Sequence, residues 1–343
     1  MLIRKRIKKS VRNSNFSILF IKDPHFRFGM KFPSGRKDTY FEEIKAKIDN
    51  LIQIGKDRNI KKLGIPGDVF DVKQPSLWSG KAVTENHKVL QKLRDQFEIY
   101  TIAGNHDLIG SARSNKEDSM YTHFTNSGLL IDIHNNPVKF GDVHLFGIDF
   151  NSDISKLKRE IKAIDLKAKA IKAKEPKARI ILMFHEHLIA PEEKDKVWGD
   201  SFSYRYATTN YKNIDVFVAG HLHKGYATQD YRNQIFINPF NFSRLARSHY
   251  TLDGSHIPTA VALTINNGKI SYKDIPLIHK PFNDSIDMEV MLRELKQELD
   301  IGNFLNNIDD FEIEDKDKDF MDMTNLPLEV KSKIEHYIEL AKN

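Results

Sequence analysis

The chain is predicted to be an α/β protein, on three observations. Short apolar runs of strand length alternate with amphipathic helical stretches over most of its 343 residues. Five of these runs lead straight into short polar motifs rich in Asp, Asn and His. Open α/β sheets bind ligands beyond the carboxyl ends of their strands, and the motifs fall at those ends.

The elements follow in order. A strand over 16–22 precedes a loop, 26–37, in which Phe26, Arg27, Phe28, Lys31, Arg36 and Lys37 interleave aromatic and basic groups. That composition suits a nucleic-acid-facing loop. A helix over 39–58 places Phe41, Ile44, Ile48, Leu51 and Ile52 on one face. Strand 62–66, helix 79–96 and strand 98–103 come next, then a helix near 118–127 that Gly128 would cap. Strands are expected at 129–133, 137–140 and 143–148, then a lysine-rich surface helix at 153–174. Strands 179–184 and 214–219 flank a long polar loop, 190–212. Strand 234–237 precedes two more, 258–265 and 269–275, joined by Asn266-Asn267-Gly268, a strong hairpin signal.

The five motifs are D-P-H with Asp23 and His25, G-D-V-F-D with Asp68 and Asp71, and G-N-H-D with Asn105, His106 and Asp107, followed by His185 and then G-H-L-H with His221 and His223. Any single histidine is more often a core or surface residue than a ligand. His87, His123, His134, His144, His249, His256 and His279 are read that way. His187, two past His185, is ambiguous, because strand alternation aims both to one face. The ordered series is different: Asp23, His25, Asp68, Asn105, His185, His221 and His223 make seven protein ligands. If Asp68 bridges, one metal takes Asp23, His25, Asp68 and His223, and the other Asp68, Asn105, His185 and His221. Each then keeps open positions, as a catalytic site needs. Two divalent metals about 3.5–4 Å apart can clamp a phosphate for in-line displacement. Carboxylate, amide and imidazole without thiolate suit manganese, iron or zinc.

The motif series, over 18–239, resembles the calcineurin-like metallophosphoesterase superfamily, and within it the SbcD-type DNA repair and recombination nuclease subunit, in bacterial or phage form. Gln74-Pro75-Ser76 after G-D-V-F-D is similar to that branch. Ile237-Asn238-Pro239 resembles the start of its N-P-G-S turn, although Phe240-Asn241-Phe242-Ser243-Arg244 replaces the glycine-containing part. Protein phosphatases of the superfamily carry Arg-Gly after the second motif, where this chain has Val72-Lys73. The resemblance implies two mixed β-sheets packed face to face and flanked by helices, an α-β-β-α sandwich with a helical C-terminal tail. It implies a two-metal site, with Mn2+ as the ion, and a DNA nuclease acting with an SbcC-type ABC ATPase and its coiled coil, as a homodimer. It makes His106 the group that protonates the leaving oxygen or stabilises the transition state, with Asp71 orienting its ring. The alternative is a small-substrate phosphodiesterase acting on nucleotides or cyclic nucleotides.

Charge divides the chain. Residues 1–280 hold 46 Lys and Arg against 30 Asp and Glu, a surplus of 16. Residues 281–343 hold 7 against 17, a deficit of 10. The basic part suits a polyanionic substrate such as DNA. This gives a nuclease domain over 1–280, in which 240–280 forms a reduced cap or terminal strands, and an acidic tail over 281–343. In that tail Met288, Met291, Leu292, Leu295 and Leu299, and later Leu328 to Leu340, recur at helical spacing around an acidic linker at 309–319. Such a tail suits partner docking. No apolar stretch is long enough to span a membrane, and no secretory signal is expected at the basic N-terminus. The absence of cysteine excludes disulfides and thiolate metal sites and suits the cytoplasm.

Overall fold

The computed structural model describes residues 15–37, 39–191, 202–223, 225–243, 256–287, 289, 290 and 293. The tail helices, the acidic linker and the basic N-terminal arm expected from the sequence lie outside the described residues, apart from the first few positions after 281. Two six-stranded sheets carry the fold.

In the first sheet β1 (Asn15–Phe20), β2 (Lys62–Ile65), β3 (Glu98–Thr101) and β4 (Ile131–Asp132) run parallel. In the second the parallel set is β6 (Val143–Ile148), β7 (Arg179–His185), β10 (Val216–Gly220) and β12 (Gln234–Ile237). Antiparallel strands flank these sets: the hairpin β13–β14 (Thr259–Asn266 and Lys269–Pro276) on β1, and β5 (Val138–Phe140) and β11 (Gln229–Tyr231) on the second sheet. A small pair, β8 (Leu188–Ile189) and β9 (Phe202–Ser203), stands apart.

Strand periodicity makes the sandwich. Phe16, Ile18 and Phe20 of β1 meet Ile181 and Met183 of β7 and Val216 and Val218 of β10 in one apolar layer between the sheets. The alternate residues face outward. Leu19 and Leu63 pack under helices α1 (Tyr40–Asp57), α2 (Gly80–Arg94) and α3 (Met120–Asn126). Ile180, Leu182, Phe184 and Phe217 pack under α4 (Ile154–Lys174) and α5 (Tyr204–Asn210). Both faces of the central strands are therefore buried, which explains why they read as continuous apolar runs rather than alternating ones. Each fully buried Ile, Leu or Phe contributes roughly 1.5–3 kcal/mol. The helices start where serine or aspartate can cap them: Ser79 accepts from Ala82 N, Ser119 from Thr122 N and Asp153 from Lys156 N. The face-to-face sandwich of two mixed sheets flanked by helices is the architecture that the resemblance implied.

Three local readings change. The polar loop at 190–212 contains α5, which Ser203 caps through Tyr206 N. Strand β11 was not foreseen; its three residues are too few to carry a period. In the loop at 26–37, Phe26 and Phe28 belong to the core and Arg36 is buried against Glu43 at 2.9 Å, so these residues offer no stacking surface, while Phe32 is exposed. Among the described residues, no helix is long and apolar enough to cross a membrane.

Candidate metal centre

Every motif follows a parallel strand at its carboxyl end: Asp23 and His25 after β1, Asp68 and Asp71 after β2, Asn105, His106 and Asp107 after β3, His185 closing β7, and His221 and His223 after β10. The two sheets meet there, so side chains far apart in sequence converge. His185 Nε2 lies 3.1 Å from Asn105 Oδ1 and 3.2 Å from Asp68 Oδ2. His221 Nδ1 lies 2.9 Å from the same Asn105 oxygen. Asp68, Asn105, His185 and His221 thus form one compact donor set. The other expected set is looser. His25 Nε2 is 3.7 Å from Asp68 Oδ2, the His25 and His223 rings are 5.5 Å apart, and Asp23 Oδ1 is 3.9 Å from His185 Nδ1.

Local backbone chemistry produces this convergence. Asp23, His25, Asp68 and His221 all adopt left-handed φ, at 45°, 45°, 48° and 78°. Asp and His tolerate that region better than most residues, yet it is strained, and strain of this kind concentrates at functional sites. The glycines of G-D, G-N and G-H have a steric task. A β-carbon on Gly104 would overlap the Asp68 carboxylate, and one on Gly67 or Gly220 would overlap the His185 ring. Asp107 binds the loops together: its carboxylate accepts from Val69 N at 3.1 Å, Phe70 N at 2.9 Å and Gly104 N at 2.9 Å. The Pro66 carbonyl accepts from His185 Nδ1 at 2.7 Å, which leaves Nε2 as the donor atom toward Asp68 and Asn105.

The expected pairing of Asp71 with His106 takes another form. His106 Nδ1 donates to the Asp71 backbone carbonyl at 2.9 Å, while the carboxylate stands 3.8 Å away. That carboxylate is engaged by Arg27 and lies 3.5 Å from His25 Nδ1. The ring is still oriented by residue 71, but through its main chain. Turn geometry after β2 decides which atom of Asp71 faces His106, and motif spacing does not encode it. His187, left ambiguous by the sequence, stacks on His221 with ring centroids 4.4 Å apart.

Electrostatics test whether cations fit. Asp23, His25, Asp68 and His185 are essentially buried. Burial, with the Asp68 charge beside it, raises Asp23 to about 6. Burial pulls His25 and His185 down, but the surrounding carboxylates outweigh it and lift both to about 9. Burial and neighbouring imidazoles hold His221 and His223 well below the usual range. The carboxylates around His25 and His185 thus favour positive charge at those two positions. Both His25 ring nitrogens are buried without a hydrogen bond; at 3.5 and 3.7 Å their carboxylate neighbours are at ion-pair range. Orphaned buried nitrogens are costly unless something binds them. Hard oxygens and imidazoles converging on strained loops fit divalent cations.

Some contributors escaped the sequence reading. Lys22, at the end of the first apolar run, is fully buried beside Asp23. A charged residue closing a buried strand was the available signal. The role of Pro66 carried none, because a backbone carbonyl has no sequence signature.

Comparison with known proteins agrees with this geometry. No curated protein matches the chain. Residues 16–225 match the model of the calcineurin-like phosphoesterases, a span running from β1 through the last histidine motif. The chain belongs to the calcineurin-like phosphoesterase family and is accordingly a metal-dependent phosphoester hydrolase.

Proposed function

We propose that this chain is a manganese-dependent DNA nuclease, the nuclease subunit of an SbcCD-like DNA end-processing complex. It would act as a double-strand exonuclease, a single-strand endonuclease or both. The observation that carries the reading is the gathering of seven carboxylate, amide and imidazole groups, Asp68, Asn105, His185 and His221 most closely, at the carboxyl edge of a domain with a surplus of 16 positive charges. Such a surplus draws polyanions. Gln74-Pro75-Ser76 and the acidic, amphipathic tail support the nuclease branch and an ATPase partner docking on 281–343. Homodimerisation and a cytoplasmic location belong to the same proposal.

Asp68, Asn105, His185 and His221 would hold one cation, and Asp23, His25, Asp68 and His223 the other. Bound there, divalent ions supply Lewis-acid activation of water and neutralise phosphate charge. The protein's part is positioning and proton handling. Pro66 and Asp107 fix His185 and the Asp68 loop. His106 Nδ1 is committed to the Asp71 carbonyl, so Nε2 is the atom left to serve the leaving oxygen. Burial lowers the affinity of His106 for a proton, and the Asp68 charge opposes that effect. Arg27, paired with Asp71, adds a guanidinium beside the cluster.

The test is cleavage of linear double-stranded and single-stranded DNA by the purified full chain, with Mn2+, Mg2+ or no metal, beside His106→Ala. Mn2+-dependent cleavage lost in the variant is expected. Brisk hydrolysis of a nucleotide phosphodiester with both DNAs untouched would overturn the nuclease assignment in favour of a small-substrate enzyme.

A further inference from the structure

Behind the donor cluster sits a second set of contacts, centred on one buried lysine. Lys22 directly precedes Asp23 and is fully buried. Its Nζ donates to the Leu222 carbonyl at 2.6 Å and to Asn238 Oδ1 at 2.7 Å. Leu222 stands between His221 and His223. Asn238, also fully buried, follows β12, and its Nδ2 donates to the Leu188 carbonyl at 3.2 Å, three residues past His185. One lysine Nζ thus links the loop after β1, in the first sheet, to the loops after β10 and β12 in the second. Through Asn238 it reaches Leu188 of β8, three residues past the end of β7, as well.

The same segment grips the first motif from its other side. Phe242 N donates to the Lys22 carbonyl at 2.7 Å, and Ser243 Oγ donates to the Pro24 carbonyl at 2.5 Å. The Phe242 carbonyl is itself held by Lys47 Nζ of α1 at 3.0 Å, and the Asn238 carbonyl accepts from Tyr226 N at 2.8 Å. Residues 238–243 therefore form a strap across the back of Asp23 and His25. Both of those residues sit at φ 45°, a conformation that persists only when the surroundings over-determine it. The strap lies beyond the segment matched by the family model, which ends at 225.

We propose that Lys22, Asn238 and Ser243 are positioning residues for metal binding: they set the relative placement of the donor loops of the two sheets, and so the affinity for the cation held by Asp23, His25 and His223. Outer groups that orient metal ligands change affinity about 10–100-fold when removed. The proposal rests on the reading of those three residues as ligands.

The experiment is a Mn2+ titration of the full chain by isothermal calorimetry, with circular dichroism to confirm folding, on the parent, Lys22→Met, Asn238→Ala, Asn238→Asp and Ser243→Ala. Folded Lys22→Met should bind the Mn2+ assigned to Asp23, His25 and His223 roughly 10–100-fold less tightly. Asn238→Asp keeps the Lys22 contact and should recover part of the affinity that Asn238→Ala loses. Ser243→Ala should lose less than either. If Lys22→Met does not fold, the Asn238 pair carries the comparison. Folded variants that bind Mn2+ within twofold of the parent would overturn the proposal and leave a stabilising role only. A parent that binds no Mn2+ would instead overturn the ligand reading itself.

Discussion

The two ends of the parallel strands use the same unusual backbone for different purposes. At the amino end three two-residue hairpins turn the chain. They have Gly141 at φ 59°, Arg232 and Asn233 at 53° and 66°, and Asn267 and Gly268 at 49° and 79°. Positive φ there matches the right-handed twist of the flanking strands, and Asn and Gly reach it at low cost. At the carboxyl end the left-handed residues are Asp23, His25, Asp68 and His221. No hairpin requires them, and each costs on the order of 1–2 kcal/mol against an ordinary conformation. They are held by Asp107, Lys22 and the strap instead. The turns are exposed and their polar groups meet water. At the donor loops Asp23, His25, Asp68 and His185 are buried, and neither ring nitrogen of His25 makes a hydrogen bond. Strain combined with unsatisfied donors separates a binding site from a turn, even where φ alone does not.

The largest effect should come from the centre of the carboxyl end. On the proposed reading Asp68 serves both cations, so Asp68→Ala should lower turnover on the order of 10³-fold or more. Metal content measured by plasma emission should fall with it. Full metal content in a folded Asp68→Ala protein would remove Asp68 from the ligand set. Next comes His106→Ala. It should lose roughly 10²–10⁴-fold in turnover with metal content unchanged. Asp71→Asn should do much less through His106, because the bond to that ring comes from the main chain. If Asp71→Asn matches His106→Ala in depth and retains its metals, the carboxylate matters more than the 3.8 Å separation allows.

The contrast between the ends also marks what a sequence can disclose. The long helices were legible because burial on one face writes a period into the residues, and the central strands because burial on both faces leaves a short unbroken apolar run. The candidate donors Asp23, His25, Asp68, Asn105, His185, His221 and His223 stood out because ligand chemistry admits few residue types, and the structure brings Asp68, Asn105, His185 and His221 together. The Asn266-Asn267-Gly268 hairpin was legible for a similar reason: backbone geometry selects Asn and Gly. Long-range closure was not. Lys22 reaching Leu222, or Asn238 reaching Leu188, depends on how the two sheets register against one another. The aromatic residues at 26 and 28 misled because local composition cannot tell a stacking surface from a core. Asp71 misled because motif spacing fixes the residue and leaves open which of its atoms faces His106.

Glycine substitution sharpens the comparison at intermediate scale. Gly104 does not need positive φ, yet its missing side chain makes room for the Asp68 carboxylate and backbone. Gly104→Ala should therefore destabilise by about 1–3 kcal/mol through overpacking. It should also weaken Mn2+ binding measured by calorimetry. A folded Gly104→Ala protein with unaltered Mn2+ affinity would show that the Asp68 loop can shift without disturbing the donors.

The smallest effect belongs to Gly268, and its reason is the reverse. It does need positive φ, at 79°, but a β-carbon there finds room, with Arg179 Nη2 nearest at 3.4 Å. Gly268→Ala should cost about 1–2 kcal/mol from backbone strain alone. The change should be visible as a lower melting temperature. It should leave turnover and Mn2+ affinity untouched at temperatures where the protein is folded. The hairpin fixes the register of β13 against β14, and β13 in turn pairs with β1 from Asn15 opposite Asn266 to Phe20 opposite Val261. A slip of one residue would turn the inner face of β13 outward and disturb the strand that delivers Asp23. That slip is resisted independently, because β1 is also paired with β2 and its Phe16, Ile18 and Phe20 are locked between the sheets. A more than twofold fall in turnover for folded Gly268→Ala would mean that β1 transmits strain along its length. The two ends of the sandwich would then be coupled, and turn chemistry could not be treated apart from the chemistry of the site.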